Sequence, residues 1–91
     1  MLPVVWSWEA RADLAELLGY IGDRNPLAAH RMQDVIQEAV EGLAVFPLAG
    51  RAGRRPGTRE LVVHPNYVVV YRVEIDQVRV IGVLHARQQY P

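Results

Sequence analysis

The stretch Gly22-Asp23-Arg24-Asn25-Pro26 decides how the first half of this 91-residue chain folds. Gly22-Asp23 is typical of a helix end. Asn25 before Pro26 is typical of a new start, because Asn caps free N–H groups and Pro fits the first helical turn. Apolar residues repeat at helical spacing on both sides of this break, namely Ala10, Leu14, Leu17, Leu18 and Ile21 before it and Ala28, Met32, Val35, Ile36, Ala39 and Leu43 after it. Two amphipathic helices joined by about three residues must lie antiparallel, so the sequence predicts a helical hairpin.

Working outward from the hairpin, the chain changes to strand-forming sequence on both sides. Val4-Val5-Trp6 is a short β-prone run, and Ser7 offers an N-cap from which the first helix begins near Trp8. Phe46-Pro47 stops the second helix, and residues 47–57 have the composition of a loop, with three glycines, two prolines and three arginines. Three β-branched and aromatic runs follow, at Leu61-Val62-Val63, Tyr67 to Val73 and Val78 to Leu84.

The predicted order of elements is therefore β-α-α-β-β-β. This is an α+β fold in which an N-terminal strand and an antiparallel helical hairpin precede a three-stranded antiparallel sheet. With the first strand added, we expect a mostly antiparallel sheet of four strands, covered by the two helices. A chain of this length has no room for a second core, so we expect residues 1–91 to form a single domain.

Composition excludes several classes of protein. There is no cysteine, which rules out a disulfide framework and agrees with a reducing cytoplasm. We see no signal peptide and no apolar run that could span a bilayer, and we expect a cytoplasmic protein without membrane association. Three scattered histidines without paired acids make no metal site. The glycine-rich loop lacks the Gly-Lys-Ser/Thr of a phosphate-binding loop, so we expect no metal and no cofactor.

Charge is unevenly distributed although the net charge is zero. Residues 1–45 hold seven acids and three bases, a net of −4, whereas residues 46–91 hold seven bases and three acids, a net of +4. All ten bases are arginine, which binds carboxylates and phosphates with two parallel hydrogen bonds, although a GC-rich genome produces the same composition. The polarity of the two halves indicates a positive face that meets a nucleic acid or an acidic protein.

An ordered set of short motifs runs through nearly the whole chain. In the helical half these are Trp6, Ala12-Asp13-Leu14, Tyr20-Ile21, Asn25-Pro26, Ala28-Ala29 and Arg31. In the sheet half they are Phe46-Pro47, Gly50-Arg51, Gly57-Thr58-Arg59-Glu60-Leu61, Tyr67 to Val73 and Val83-Leu84-His85. This set resembles the toxins of the RelE/ParE superfamily of type II toxin-antitoxin systems. The stretches His64-Pro65-Asn66-Tyr67 and His85 to Pro91 resemble the ParE branch most.

The resemblance implies a toxin that arrests bacterial growth and is neutralised by a cognate antitoxin in a hetero-oligomeric complex. The superfamily divides by target. ParE-like members inhibit DNA gyrase without catalysing a reaction, whereas RelE-like members are endoribonucleases that cleave ribosome-bound mRNA. We expect the ParE-like, gyrase-inhibiting function and keep the mRNA interferase as the alternative, so whether the protein is an enzyme stays open.

The RelE-like alternative makes Arg59, Arg72 and His85 the catalytic candidates. Cleavage of RNA needs a base, an acid and positive charge beside the phosphate. Arg59 matches the phosphate-binding arginine of the nuclease branch, and Arg72 lies on the adjacent strand. His85 ends the last strand, where a histidine is catalytic in some nucleases. Strand alternation predicts that it shares a face with Arg79, Ile81 and Val83. The absence of lysine and of an acid near His85 argues against cleavage.

A second group of residues is expected to bind the antitoxin or nucleic acid. It comprises Arg51, Arg54, Arg55, Arg59, Arg87 and Tyr90. A flexible arginine loop suits phosphate contacts and suits an acidic antitoxin segment equally, and a solvated loop without a partner has the same composition. Arg59 has the further alternative of a surface ion pair with Glu60 or Glu74. Tyr90 can stack on a base or pack the C-terminal segment down.

Overall fold

The structure is a computed structural model that describes residues 1–87 of the chain. Its elements, in chain order, are β1 (Val4–Trp6), α1 (Trp8–Arg24), α2 (Pro26–Glu41), a 3₁₀ turn (Gly42–Ala44), β2 (Arg51–Ala52), β3 (Arg59–His64), β4 (Tyr67–Val73) and β5 (Val78–His85). The predicted α+β class and the order of strand, helical hairpin and sheet are confirmed.

Side-chain caps fix the helical hairpin. Ser7 Oγ accepts a hydrogen bond from the N–H of Ala10 at 3.0 Å, which begins α1. Asn25 Oδ1 accepts from the N–H of Ala28 at 3.0 Å, while the N–H of Asn25 itself donates to the carbonyl of Ile21 at 2.8 Å. Asn25 therefore ends α1, starts α2 and is the whole link between them. Gly22-Asp23, which the sequence marked as the end of the first helix, stays helical.

The sheet has the strand order β1-β5-β4-β3-β2, with β1 parallel to β5 and the other pairs antiparallel. It has five strands among the described residues, one more than the sequence predicted. The additional strand is β2, in which Arg51 pairs with Glu60 and Ala52 pairs with Arg59. Two residues between glycines carry no alternation pattern, so the sequence could not distinguish β2 from loop.

The two helices cover one face of this sheet. Ala10 of α1 and Ile36 and Val40 of α2 form a buried cluster with Val69 of β4 and with Val80 and Val83 of β5. We call this side the covered face and the other side the open face. Along β4, residues 67, 69, 71 and 73 point to the covered face and residues 68, 70 and 72 to the open face.

A register shift in β5 changes which residues share a face. Val70 pairs with Gly82 but Tyr71 pairs with Val80, so Ile81 is an extra residue in β5. Val80 and Val83 consequently lie in the same core cluster although three positions separate them. His85 pairs with Tyr67 and shares the covered face with Val83, whereas Arg79 pairs with Arg72 on the open face. The prediction that His85 lies beside Arg79 is therefore wrong.

Candidate functional site

Arginines gather on the open face of the sheet, where two of them contact one acid. Arg51 of β2 is in register with Glu60 of β3, and Arg72 of β4 is in register with Arg79 of β5. Arg54, in the loop between β2 and β3, also contacts Glu60. We call Arg51, Arg54, Arg72 and Arg79 the arginine face. Part of the predicted positive surface is thus present, built from three strands and the loop between β2 and β3.

Glu60 is the buried acid that holds Arg51 and Arg54. Its side chain is 2% exposed, and its oxygens lie 3.0 Å from Arg51 Nη2 and 3.2 Å from Arg54 Nε. Burying a carboxylate costs several kcal/mol unless it is paired, and these two guanidinium groups supply the pairing. Arg54 Nη2 also donates to the carbonyl of Ala86 at 3.0 Å, which ties the loop to the residue after β5.

The start of the arginine loop is fixed by a hydrogen-bond network around Tyr71. The Tyr71 hydroxyl accepts from the N–H of Gly50 at 2.9 Å and donates to the carbonyl of Pro47 at 2.7 Å. A Cβ on Gly50 would lie 2.7 Å from that hydroxyl and 2.8 Å from the carbonyl oxygen of Glu60, so the chain can pass here only as glycine. These contacts fix where the loop begins relative to β4.

Arg59 belongs to this network and not to the arginine face. It is in register with Tyr71, on the covered side, and its Nη1 donates to the carbonyl of Gly50 at 2.8 Å. Arg59 and Arg72 are on adjacent strands, as predicted, but they point to opposite faces of the sheet. The visible contact of Arg59 is thus with the loop backbone, which makes it a residue that positions the loop.

His85 lies at the other end of the sheet. Its register partner, Tyr67, is four residues from Tyr71 and five from Arg72 along β4, which separates His85 from the two arginines by roughly 13 to 17 Å. The ring of Tyr67 contacts His85 edge-on at 5.7 Å between centroids. The exposed His85 accepts a hydrogen bond at Nδ1 from the N–H of Arg87 at 3.2 Å.

A cavity of about 470 Å³ opens beside His85, between α1 and the ends of β4 and β5. It is lined by Asp13, Glu16, Leu17, Tyr20, Tyr67, Val83, Leu84 and His85. Asp13 Oδ2 accepts a hydrogen bond from the N–H of Val83 at 3.0 Å, just after the extra residue of β5. Asp13 therefore joins α1 to the irregular part of the sheet, a role that the motif Ala12-Asp13-Leu14 did not reveal.

The remaining predicted binding residues are dispersed. Arg55 lies in the turn before β3, where its carbonyl accepts from the Thr58 hydroxyl at 2.7 Å. Arg87 is exposed and follows β5. Tyr90 lies outside the described residues. Within residues 1–87, no three His, Cys, Asp or Glu side chains are grouped so as to hold a metal ion. None of the helices described there has the length and apolar character needed to cross a membrane.

Sequence reasoning missed Glu60, Tyr71 and Arg79. In sequence, Glu60 between Arg59 and Leu61 has the pattern of a solvent-facing strand residue. Its pairing becomes evident only when β2 and the following loop bring Arg51 and Arg54 to its carboxylate. Tyr71 was identified only as part of a strand. Arg79 was assigned to the face of His85, because the extra residue in β5 leaves no trace in the pattern of apolar residues.

Comparison with known proteins decides the family. The model of the family described as the ParE toxin of the type II toxin-antitoxin system parDE matches residues 4–90. The chain belongs to the ParE toxin family. This ParE-family toxin is 43% identical over 86 residues to toxin RelE2 of Caulobacter vibrioides, a match that covers 94% of this chain and 97% of the relative. It is thus a toxin of a type II toxin-antitoxin system in the RelE/ParE superfamily.

Solved structures share the fold of this ParE-family toxin. The chromosomal ParDE system from P. aeruginosa contains a chain that superposes with a TM-score of 0.83 at 24% identity, covering 93% of this chain and 96% of that one. A chain of the E. coli DinJ–YafQ complex superposes with a TM-score of 0.64 at 12% identity, covering 93% of both chains. At these identities the likeness shows a common fold.

Proposed function

We propose that this ParE-family toxin arrests growth in the bacterial cytoplasm by inhibiting DNA gyrase, without cleaving RNA. The observation that carries the proposal is the separation of the three candidate catalytic groups. Arg59 and Arg72 point to opposite faces of the sheet, and His85 is at its far end. An acid, a base and a phosphate-binding arginine must all reach one phosphodiester group, and the wide spacing of these three strand positions argues against such a site.

The middle of the open face supports the same proposal. The residues between the arginine face and the end of β5 include Val62, Val68 and Val70. Val68 and Val70 are 1% and 3% exposed and Val62 is 54% exposed, so this strip is apolar. These three valines, within the described residues 1–87, offer no group that could transfer a proton or offset the charge of a phosphorane.

We also propose that a cognate antitoxin binds this toxin in a hetero-oligomer. The ParDE structure from P. aeruginosa is named as a toxin-antitoxin system, and the E. coli structure is a DinJ–YafQ complex. The shared fold and the family membership support the same mode of neutralisation here.

The target is tested with toxin that has been separated from its antitoxin. We expect it to block supercoiling by gyrase and to leave mRNA on translating ribosomes intact. Adding back the antitoxin in excess should restore supercoiling, which controls for non-specific inhibition. Normal supercoiling at a stoichiometric excess of folded toxin contradicts the proposal.

Cleavage of ribosome-bound mRNA is the second candidate function. It is favoured by the name of the relative RelE2 and by the exposed position of His85 at the end of β5. An imidazole that has first taken up a proton can pass it to a leaving oxygen, which is the task of the acid in RNA cleavage. Primer extension on mRNA from induced cells tests this function. New 5′ ends that disappear in His85→Gln and Arg59→Ala variants would establish it in place of gyrase inhibition.

A further inference from the structure

We propose that Arg72 and Arg79 together bind a carboxylate of an acidic segment of the antitoxin. This inference rests on the proposed toxin-antitoxin complex and adds the chemistry of one contact within it. Arg72 and Arg79 are directly opposite one another on β4 and β5, so their side chains leave the open face side by side.

Within the arginine face, the pair differs from Arg51 and Arg54 because it forms no ion pair with an acid of the described part of the chain. In residues 1–87 neither guanidinium forms an ion pair, whereas Arg51 and Arg54 are both held by Glu60. Like charges placed opposite one another destabilise a sheet. A carboxylate shared by the two guanidinium groups offsets their repulsion and also accepts charge-assisted hydrogen bonds from them. Both effects stabilise the bound state.

The neighbouring backbone leaves room for Arg72 on the open face. Gly57 has a φ of 80°, and a Cβ built on it would lie 3.1 Å from Arg72 Nη1. Glycine suits this left-handed backbone, and a side chain here would oblige the guanidinium to shift slightly. The turn before β3 thus packs against Arg72 and restricts the positions that its side chain can take.

The surroundings of the pair favour a protein partner over a nucleic acid. Val5 of β1 is in register with Arg79 on its other side and is 36% exposed. Ile75, at the tip of the β4–β5 hairpin, is fully exposed. Single-stranded RNA is recognised by stacking its bases on aromatic rings, whereas the exposed neighbours here are aliphatic. Aliphatic side chains around a paired cation suit a peptide with apolar residues flanking an acid.

The test measures antitoxin affinity of toxin variants by isothermal titration calorimetry. The probe is the antitoxin encoded by the reading frame beside the toxin gene. We expect Arg72→Gln and Arg79→Gln each to weaken binding by about tenfold, as loss of a charge-assisted hydrogen bond should. The affinity of Arg79→Lys should lie between those of the unchanged toxin and Arg79→Gln, because lysine keeps the charge but cannot form two parallel hydrogen bonds. Arg31→Gln, an exposed arginine on α2, is the matched control and should bind as the unchanged toxin does.

Thermal denaturation of the free variants separates binding from folding. We expect Arg79→Gln to melt at the same temperature as the unchanged toxin or higher, because it relieves the repulsion with Arg72. Equal affinity of all variants for the antitoxin overturns the inference and leaves gyrase inhibition and neutralisation standing. Failure of the unchanged toxin to bind the antitoxin overturns this inference and the proposed toxin-antitoxin complex together. A third outcome also overturns the inference: the Arg72→Gln and Arg79→Gln variants bind the antitoxin normally but no longer bind a fluorescein-labelled RNA oligonucleotide. The pair would then bind a nucleic acid.

Discussion

Glu60 holds Arg54 with 3.2 Å between Oε2 and Nε, and through Arg54 it connects β3 to the carbonyl of Ala86 after β5. One buried carboxylate therefore organises two parts of the chain that are more than twenty residues apart. The arginine-rich loop owes its conformation to this contact and to the Tyr71 network, so its basic residues are only in part available to a partner.

Replacing Glu60 tests this role. Glu60→Gln should lower the free energy of unfolding by about 1–3 kcal/mol, because Arg51 and Arg54 lose their counter-charge. The loss stays within this range because both arginine side chains are partly exposed to water. Urea denaturation measures the loss, and Glu38→Gln, at an exposed position of α2, is the control. Equal stability of the two variants would show that the ion pairs contribute nothing.

Replacing glycine by alanine should change the stability of the fold in opposite directions at two positions. Gly50→Ala places a methyl group 2.7 Å from the Tyr71 hydroxyl and should destabilise the fold by about 1–3 kcal/mol. Gly19→Ala meets nothing within 4 Å in the middle of α1 and should stabilise it by about 0.5–1 kcal/mol. Melting temperatures of the two variants should therefore move in opposite directions, and a shift of the same sign in both contradicts the contact described for Gly50.

Asp13 should contribute more to stability than an ordinary surface acid. Asp13→Ala leaves the amide of the nearly buried Val83 without its acceptor at 3.0 Å, which should cost about 1–3 kcal/mol. Hydrogen exchange of the Val83 amide should accelerate at the same time. Asp34→Ala, exposed on α2, should change neither quantity.

His85 distinguishes the two candidate functions in living cells. If gyrase is the target, His85→Gln should leave growth arrest after induction unchanged, because no proton transfer is needed. Viable counts with and without induction measure this, with His30→Gln on α2 as the control. Loss of toxicity in a folded His85→Gln variant, together with toxicity in the control, is the outcome expected of a nuclease.

The helical half could be predicted from local chemistry, and the sheet half only in outline. Asn25 before Pro26 placed the hairpin, because both capping bonds of Asn25 involve residues within four positions. Glu60 and β2 depend on pairings between distant residues, which no local pattern encodes. The extra residue Ile81 reverses the faces of β5, and simple alternation therefore put His85 with the wrong neighbours.

The order in which the strands join has a consequence for how the molecule reaches its native state. β5 lies between β1 and β4, and its pairing with β1 joins Val4 to Val78, which closes a loop of 74 residues. Closing a loop of that length costs roughly 4 kcal/mol of chain entropy. No segment that leaves the ribosome earlier can complete the sheet, because β1 and β4 are joined only through β5. A growing chain therefore cannot join β1 to the rest of the sheet before residues 78–85 have left the ribosome.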